Sequence, residues 1–169
     1  MPEPREHAKN RGWIESILRR IPGFKGYLEK EYRRDSDALQ RSWLADRLQR
    51  SKRSLDAFAR TLVDAGKLDA VAQVDRFKGR MDRSIGRLRG AMAGYSGFFD
   101  LVQVDEARLE RVYEYDVKMM DAVDALGDSI EKVEHATAEI APPVQQWNDQ
   151  LAAVEQAIDH RQDLLKGLE

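Results

Sequence analysis

The ionisable side chains are where this sequence could first carry chemistry, and their spacing argues against a metal site. The histidines are His7, His135 and His160, and none follows a glutamate in the Glu-x-x-His pattern that holds two metal ions in helical bundles. Glu131 and Glu134 lie three residues apart, but such a pair on an acidic helix is usually solvated. The sequence therefore predicts that no metal is bound.

Other common catalytic patterns are also absent. The chain has no cysteine, which excludes thiolate catalysis, disulfides and thiolate zinc sites and fits a reducing compartment. No glycine-rich loop is followed by the Lys-Ser/Thr of a phosphate cradle, and no serine stands in a nucleophile elbow. We predict a non-enzymatic protein with no cofactor and no small-molecule substrate; the alternative left open is an enzyme site between helices, built from residues distant in sequence.

Asp116 and Arg161 interrupt two otherwise apolar helical stripes. If both side chains are buried at one level, they can pair. A buried ion pair more often specifies how helices align than it performs catalysis. We therefore predict that these two residues form a buried polar register pair.

The segment GWIESILRRIPGFKGY, residues 12–27, combines an apolar face with basic flanks. The residues expected to contact a membrane or a partner are Trp13, Ile14, Ile17, Leu18, Ile21 and Phe24. A short amphipathic helix of this kind can lie in a bilayer interface, where cationic side chains attract anionic headgroups. The same face could instead close the end of a helical bundle as a strap.

A second unusual segment is GYSGFFD, residues 94–100, at the turn between the second and third long helices. Its aromatic residues are Tyr95, Phe98 and Phe99. Such a loop could cap the core. If the rings are exposed, they form an apolar loop that docks a partner.

These residues must be positioned by helices, because apolar residues recur at alternating steps of three and four along most of the chain. The first stripe is Leu44, Leu48, Ser51, Leu55, Phe58 and Leu62, extended upstream by Leu28, Tyr32, Leu39 and Trp43. Gly66 can end this helix in a left-handed conformation, and Pro142 and Pro143 interrupt the later pattern. The predicted helices span 27–65, 67–93, 105–140 and 143–168, after an amphipathic segment 1–26.

We therefore predict an all-α protein with a single domain over residues 1–169. It is an up-down antiparallel bundle of four long helices with a short N-terminal amphipathic helix. Gly79, Gly86 and Gly90 fall within the second long helix, and close contact with a neighbouring helix is the simplest reason for them.

The net charge of −2 conceals a strong asymmetry along the chain. Residues 1–90 contain 22 Lys+Arg against 13 Asp+Glu, whereas residues 91–169 contain 6 against 17. The simplest use of these opposite charges is internal pairing between the two halves. If the halves match another copy better than their own partners, the same charges would drive self-assembly.

The IPGFKGYLEKEYRR motif near the N-terminus and the GYSGFFD turn resemble a small, largely uncharacterised family of bacterial helical-bundle proteins. That family is associated with membrane-scaffold proteins of the SPFH class, so the resemblance implies a peripheral membrane role. It implies no catalytic residues.

Two functions are consistent with these features. The first is a scaffold or adaptor that binds a protein partner or forms a homo-oligomer. The alternative is a peripheral membrane protein that binds an anionic surface through its N-terminal segment. No apolar run is long enough for a signal peptide or a membrane span, so the expected location is the cytoplasm, with the inner face of the membrane as the alternative. Nucleic-acid binding is not favoured, because the basic residues of the first long helix alternate with Asp35, Asp37 and Asp46.

Overall fold

The computed structural model describes residues 4–94, 106–133 and 141–166, apart from the side chains of 4–10, 91–94, 106 and 166. These residues form helices α1 (Pro4–Arg20), α2 (Lys30–Asp64), α3 (Leu68–Gly94), α4 (Glu106–Glu131) and α5 (Val144–Lys166). No strand occurs among them, and the predicted all-α class is confirmed. Residues 105 and 134–140 of the third predicted helix lie outside the described residues, as do 167 and 168 of the fourth.

The helix ends follow from local backbone chemistry. Pro22 stops α1, because the residue before a proline is pushed out of the helical conformation. Gly66, with φ of +69°, closes α2: its N–H donates to Val63 and the Lys67 N–H donates to Leu62, both at 2.9 Å. These two hydrogen bonds form a Schellman motif, which satisfies carbonyl groups left unpaired at the end of the helix.

The core is formed by the apolar stripes of all five helices. Trp147 of α5 is fully buried, with its ring 5.6 Å from that of Phe77 of α3 and its indole N–H donating to Ser129 of α4 at 3.1 Å. All six residues of the predicted stripe from Leu44 to Leu62 are buried, and Ala45, Arg47 and Ser54 are buried beside them. Burying a large apolar side chain contributes about 1.5–3 kcal/mol, so this continuous core dominates stability.

The upstream extension of the α2 stripe is wrong at Leu28, which is exposed, whereas Leu39 and Trp43 pack against the core. Leu28 is 72% exposed, and Tyr32, Leu39 and Trp43 are only partly buried. The side chains that face the core there are polar, and they are Ser36, Asp37, Gln40 and Arg41. Continuing the steps of three and four backwards from Leu44 passes through these polar residues, so the stripe is regular in geometry but not in hydrophobicity.

Two antiparallel helix pairs make up most of the structure. Between α2 and α3, Arg89 pairs with Asp46, Lys52 with Asp82 and Lys78 with Asp56, so residue numbers rise along one helix as they fall along the other. Between α4 and α5, Asp116 contacts Arg161 and Ser129 contacts Trp147, which gives the same direction of pairing.

The two pairs pack side by side, with α2 against α4 and α3 against α5. Across the second of these contacts, Arg80 reaches Glu155 and Arg87 reaches Asp159, so the numbers rise together and the two helices run in the same direction. Helix α1 packs along α4. In the described part of the chain α2 and α5 do not pack backbone to backbone.

Candidate functional site

Asp116 of α4 and Arg161 of α5 meet inside the core. The Arg161 Nε donates to Asp116 Oδ1 at 2.5 Å, and the two side chains are 2% exposed or less. The structure therefore brings together the two residues that were predicted to pair. Both interrupt apolar stripes, and the level at which they meet aligns α4 with α5.

Tyr27, in the connection between α1 and α2, forms hydrogen bonds with both members of this ion pair. Its hydroxyl donates to Asp116 Oδ2 and accepts from Arg161 Nη2 at 3.1 Å. Its backbone N–H donates to the Tyr113 hydroxyl at 2.7 Å, and the two rings stack 5.1 Å apart. Gly26 permits this approach, because it has φ of +88° and an added Cβ would lie 2.8 Å from the Tyr113 hydroxyl.

The other side of the network comes from α2. Asp37 Oδ1 lies 2.7 Å from Arg161 Nη1, and Asp37 Oδ2 accepts from Arg41 Nε at 2.9 Å. Arg161 therefore crosses the core to reach a helix against which its own does not pack. Two carboxylates and two guanidinium groups balance in charge, which lowers the cost of burying them.

Burial and pairing set the protonation of these groups. Burial alone would lower the pKa of Arg161, but Asp116 and Asp37 hold that pKa well above its usual value. Burial would likewise raise the pKa of Asp37, yet Arg161 and Arg41 bring it below the ordinary value. At Asp116 burial wins, and the pKa is raised. Burial and the nearby Asp116 raise the pKa of Tyr27 well above its usual value, so the hydroxyl stays protonated as a donor.

No protein-family model, curated protein or solved structure matches this chain. Its function has to be inferred from its own geometry. Among the described residues no group of three or more histidine or acidic side chains is arranged to hold a metal ion. No helix in the described ranges is both long and apolar enough to cross a membrane.

A second charged centre, which the sequence analysis missed, joins α2 to α4. Arg47 is 5% exposed and contacts Asp124 at 2.9 Å, Asp128 at 3.0 Å and Glu131 at 2.7 Å. Burial would lower the pKa of Arg47, but Glu131 and Asp124 raise it. Gly127 makes room for this contact, because an added Cβ would overlap the Arg47 guanidinium.

The N-terminal segment is packed against the helical body. Ile17, Ile21 and Phe24 are buried, Trp13 and Ile14 are partly buried, and Leu18 is 48% exposed. Arg20, at the end of α1, also donates to Asp121 of α4 at 2.6 Å. Most of the face expected to contact a membrane or partner is therefore covered by the chain itself, in the manner of a strap.

The predicted partner loop, Tyr95, Phe98 and Phe99, lies outside the described residues. A surface groove of about 460 Å³ lies between the α1–α2 connection and α2. It is lined by Gly23, Lys25, Asp35, Ser36, Ala38, Leu39 and Ser42. Its lining is mostly apolar and it is open to solvent, so the groove offers contact area but no enclosed set of reactive groups.

Proposed function

We propose that this protein is a non-enzymatic scaffold or adaptor that acts through helical protein–protein interaction. The observation that supports this proposal is that the side chains of Tyr27, Asp116 and Arg161 are buried in the core and bind one another. Their ionisable groups have perturbed pKa values, as many active sites do, but they are enclosed and engage one another. A substrate could reach them only if the core opened, so the network supports a role in holding the helices in register.

The proposed architecture is a four-helix up-down bundle of α2–α5 with α1 as a strap. In this arrangement the direction reverses from each long helix to the next, which is supported by the ion pairs within the α2–α3 and α4–α5 pairs and by the parallel contacts of α3 with α5. The two pairs then meet with parallel neighbours, because α2 packs on α4 and α3 on α5. Such a rigid rod leaves long outer helical faces for a partner, and we propose the cytoplasm as its compartment.

The test is the composition of the complex that the full chain forms in its source cells. The chain is tagged at its natural locus, cross-linked in the living cell, purified and sized by native mass spectrometry. We expect a complex with a protein in a fixed ratio, either a partner or a second copy of the chain. Recovery of the uncross-linked monomer alone would contradict the proposal.

A peripheral membrane protein is the second candidate. It is favoured by the partly exposed face that includes Leu18, with the exposed Arg19 beside it, and by the resemblance to a family associated with SPFH scaffolds. It is disfavoured by the burial of Ile17, Ile21 and Phe24, because an anchor made from them would first have to leave the helical body.

Flotation of the protein with vesicles of anionic or neutral lipid tests this candidate. The informative substitution is Leu18→Glu, because this exposed residue can be charged without damaging the core. The matched control is Ile17→Ala, which creates a cavity at the adjacent buried position and should cost about 2–5 kcal/mol of stability. If the membrane function is correct, Leu18→Glu abolishes flotation on anionic vesicles while the fold is retained. If the wild type does not float, the segment is a strap alone.

A further inference from the structure

Helices α2 and α3 expose a set of arginines that have no ion-pair partner within the described structure. On α3, Arg76, Gly79, Arg83, Gly86 and Gly90 follow one another at steps of three and four, opposite the buried stripe. On α2, Arg53 and Arg60 lie on the exposed face at a spacing of seven. Two lysines of the same pair of helices are instead engaged, Lys52 by Asp82 and Lys78 by Asp56.

The ion pairs between α2 and α3 fix how these arginines align. Since Lys52 meets Asp82 and Asp56 meets Lys78, Arg53 lies within about 3 Å of Arg83 along the axis, and Arg60 equally near Arg76. Seven residues of helix span about 10.5 Å, which separates the two levels. We call these four arginines, with Gly79 and Gly86 between them, the arginine face.

The surface of α3 beside these arginines carries no side chain at its glycine positions. A Cβ built at Gly79, Gly86 or Gly90 would meet nothing within 4 Å. The expectation that these glycines serve a close contact with a neighbouring helix is therefore wrong within the described chain. Each glycine weakens an isolated helix relative to alanine, and no contact at these positions within the described residues offsets that cost.

The described parts of α4 and α5 do not offer a matching acidic face. The carboxylates of α4 and α5 are largely engaged internally: Asp124, Asp128 and Glu131 by Arg47, Glu155 by Arg80 and Asp159 by Arg87. Of the acidic side chains described between 107 and 165, Asp149 and Asp163 are left without an ion pair. Two such residues cannot match two rows of arginines, so the described parts of α4 and α5 in a second copy are a poor partner for this face.

We infer that the arginine face binds an acidic α-helix of another protein, an inference that rests on the proposed scaffold function and names its docking surface. On each helix the two arginines are seven residues apart, which matches the spacing of glutamates that recur once per heptad on a partner helix. The glycine positions let a partner helix approach closely along α3. A duplex nucleic acid or a bilayer would use the arginines but would have no need of the bare glycine positions.

The test measures the full chain against a designed helical peptide. The probe has about four heptads, an alanine seam and glutamates on both flanks; a second peptide replaces the glutamates with glutamine. Binding is followed by fluorescence anisotropy at low and physiological salt. The charge variant is Arg60→Glu with Arg76→Glu. Its matched control is Arg19→Glu with Arg34→Glu, which makes the same charge change at exposed positions elsewhere.

We expect the glutamate peptide to bind and the glutamine peptide not to bind. The charge variant should weaken binding about tenfold, since each reversal removes an exposed ion pair and adds repulsion, while its control changes little. Gly86→Leu, which keeps every charge, should also abolish close docking. Circular dichroism confirms that each variant is folded.

Three outcomes would overturn the inference. In the first, the control variant weakens binding of the glutamate peptide as much as the charge variant does. In the second, Gly86→Leu leaves that binding unchanged. In the third, duplex DNA or anionic vesicles bind more tightly than the peptide through the same arginines. Cross-linking in the source cells separates this failure from that of the proposed function. A protein complex that survives Arg60→Glu with Arg76→Glu leaves the scaffold function standing on another surface. Absence of any complex in the wild type contradicts both.

Discussion

Asp116 and Arg161 show how one buried ion pair can fix the relation of several helices. A buried pair seldom gains stability over well-packed apolar residues, but removal of one partner leaves an uncompensated charge in the core. Here Arg161 is shared between Asp116 of α4 and Asp37 of α2, and it also donates a hydrogen bond to the Tyr27 hydroxyl. A shift of any helix by one turn would leave at least one of these groups unpaired, so the network opposes alternative registers.

Asp116→Asn therefore tests the network directly. The substitution keeps the shape but removes one of the two buried charges that Arg161 faces, so we expect a loss of about 3–5 kcal/mol in the free energy of unfolding measured with urea. Tyr27→Phe removes only a hydroxyl and should cost about 1–3 kcal/mol. Asp149→Asn, on the surface, should change stability by no more than about 0.5 kcal/mol. An effect of Asp116→Asn as small as that of Asp149→Asn would show that the pair is not structural.

Glu155 gives a prediction in pH. Partial burial raises its pKa, but Arg80 and Ser84 outweigh that effect and hold the pKa below its usual value. A carboxylate whose folded pKa is depressed contributes stability above its unfolded pKa, near 4.3, and loses it as pH falls through the folded value. Because the pair is about a quarter exposed, the contribution should be about 1 kcal/mol.

The measurement compares the wild type with Glu155→Gln by urea unfolding at neutral pH and again well below pH 4. We expect the wild type to be more stable at neutral pH and the difference to vanish in acid. Asp149→Asn is the control, because its carboxylate accepts from Gln145 and has no cationic partner in the described structure. A difference that persists unchanged in acid would mean that packing, and not charge, accounts for the effect of Glu155.

At the scale of the helix, two glycines in different surroundings allow the effect of helix propensity on stability to be separated from the effect of side-chain contacts. Gly86 faces open space, so Gly86→Ala should raise the free energy of unfolding by about 0.5–1 kcal/mol through better helix propensity. Gly127 lies under the Arg47 guanidinium, so the same substitution there must displace a side chain held by three acids and should destabilise the protein. Thermal unfolding of the two variants is expected to shift in opposite directions. A shift in the same direction would contradict the geometry at Gly127.

How much could be predicted from the sequence also depends on the helix considered. The stripe from Leu44 to Leu62 identified the buried face of α2, because apolar residues there coincide with the helical repeat. Upstream, the repeat continues through Arg41 and Asp37, but hydrophobicity selected Leu39 and Trp43 on another side. Asp116 and Arg161 were found because each interrupts a long apolar stripe. Asp37 and Arg41 were missed because the stripe has no apolar residues before them. A charged residue stands out as an interruption only when apolar residues of the same stripe lie on both sides of it.

Arg47 was missed for a different reason. It looks like any other cation on a charged helix, and only its position opposite Gly127 distinguishes it. The signal was present on α4, where Asp124, Asp128 and Glu131 flank a glycine at steps of four and three. Such a pattern becomes informative only when the neighbouring helix is known, and that is set by packing between distant segments.

At the scale of the whole molecule, the opposite charges of the two halves meet at several contacts between the helix pairs. Arg20 and Arg47 contact acids of α4, and Arg80 and Arg87 contact acids of α5. Exposed ion pairs contribute little individually, so their main effect is to favour one docking of the α2–α3 pair on the α4–α5 pair. The internal pairing also reduces the charge that remains for self-assembly.

Exchanging the charges of Arg80 and Glu155 tests this docking. Each single reversal, Arg80→Glu or Glu155→Arg, places like charges together and should cost about 1–2 kcal/mol in the free energy of unfolding. The double variant restores an ion pair across α3 and α5 and should recover about half of the combined loss, read from a double-mutant cycle in urea. The recovery stays incomplete, because Arg80 also donates to Asn148 and Ser84 to Glu155, contacts that the exchange removes. Simple additivity of the two losses would mean that apolar packing alone sets how the helix pairs dock.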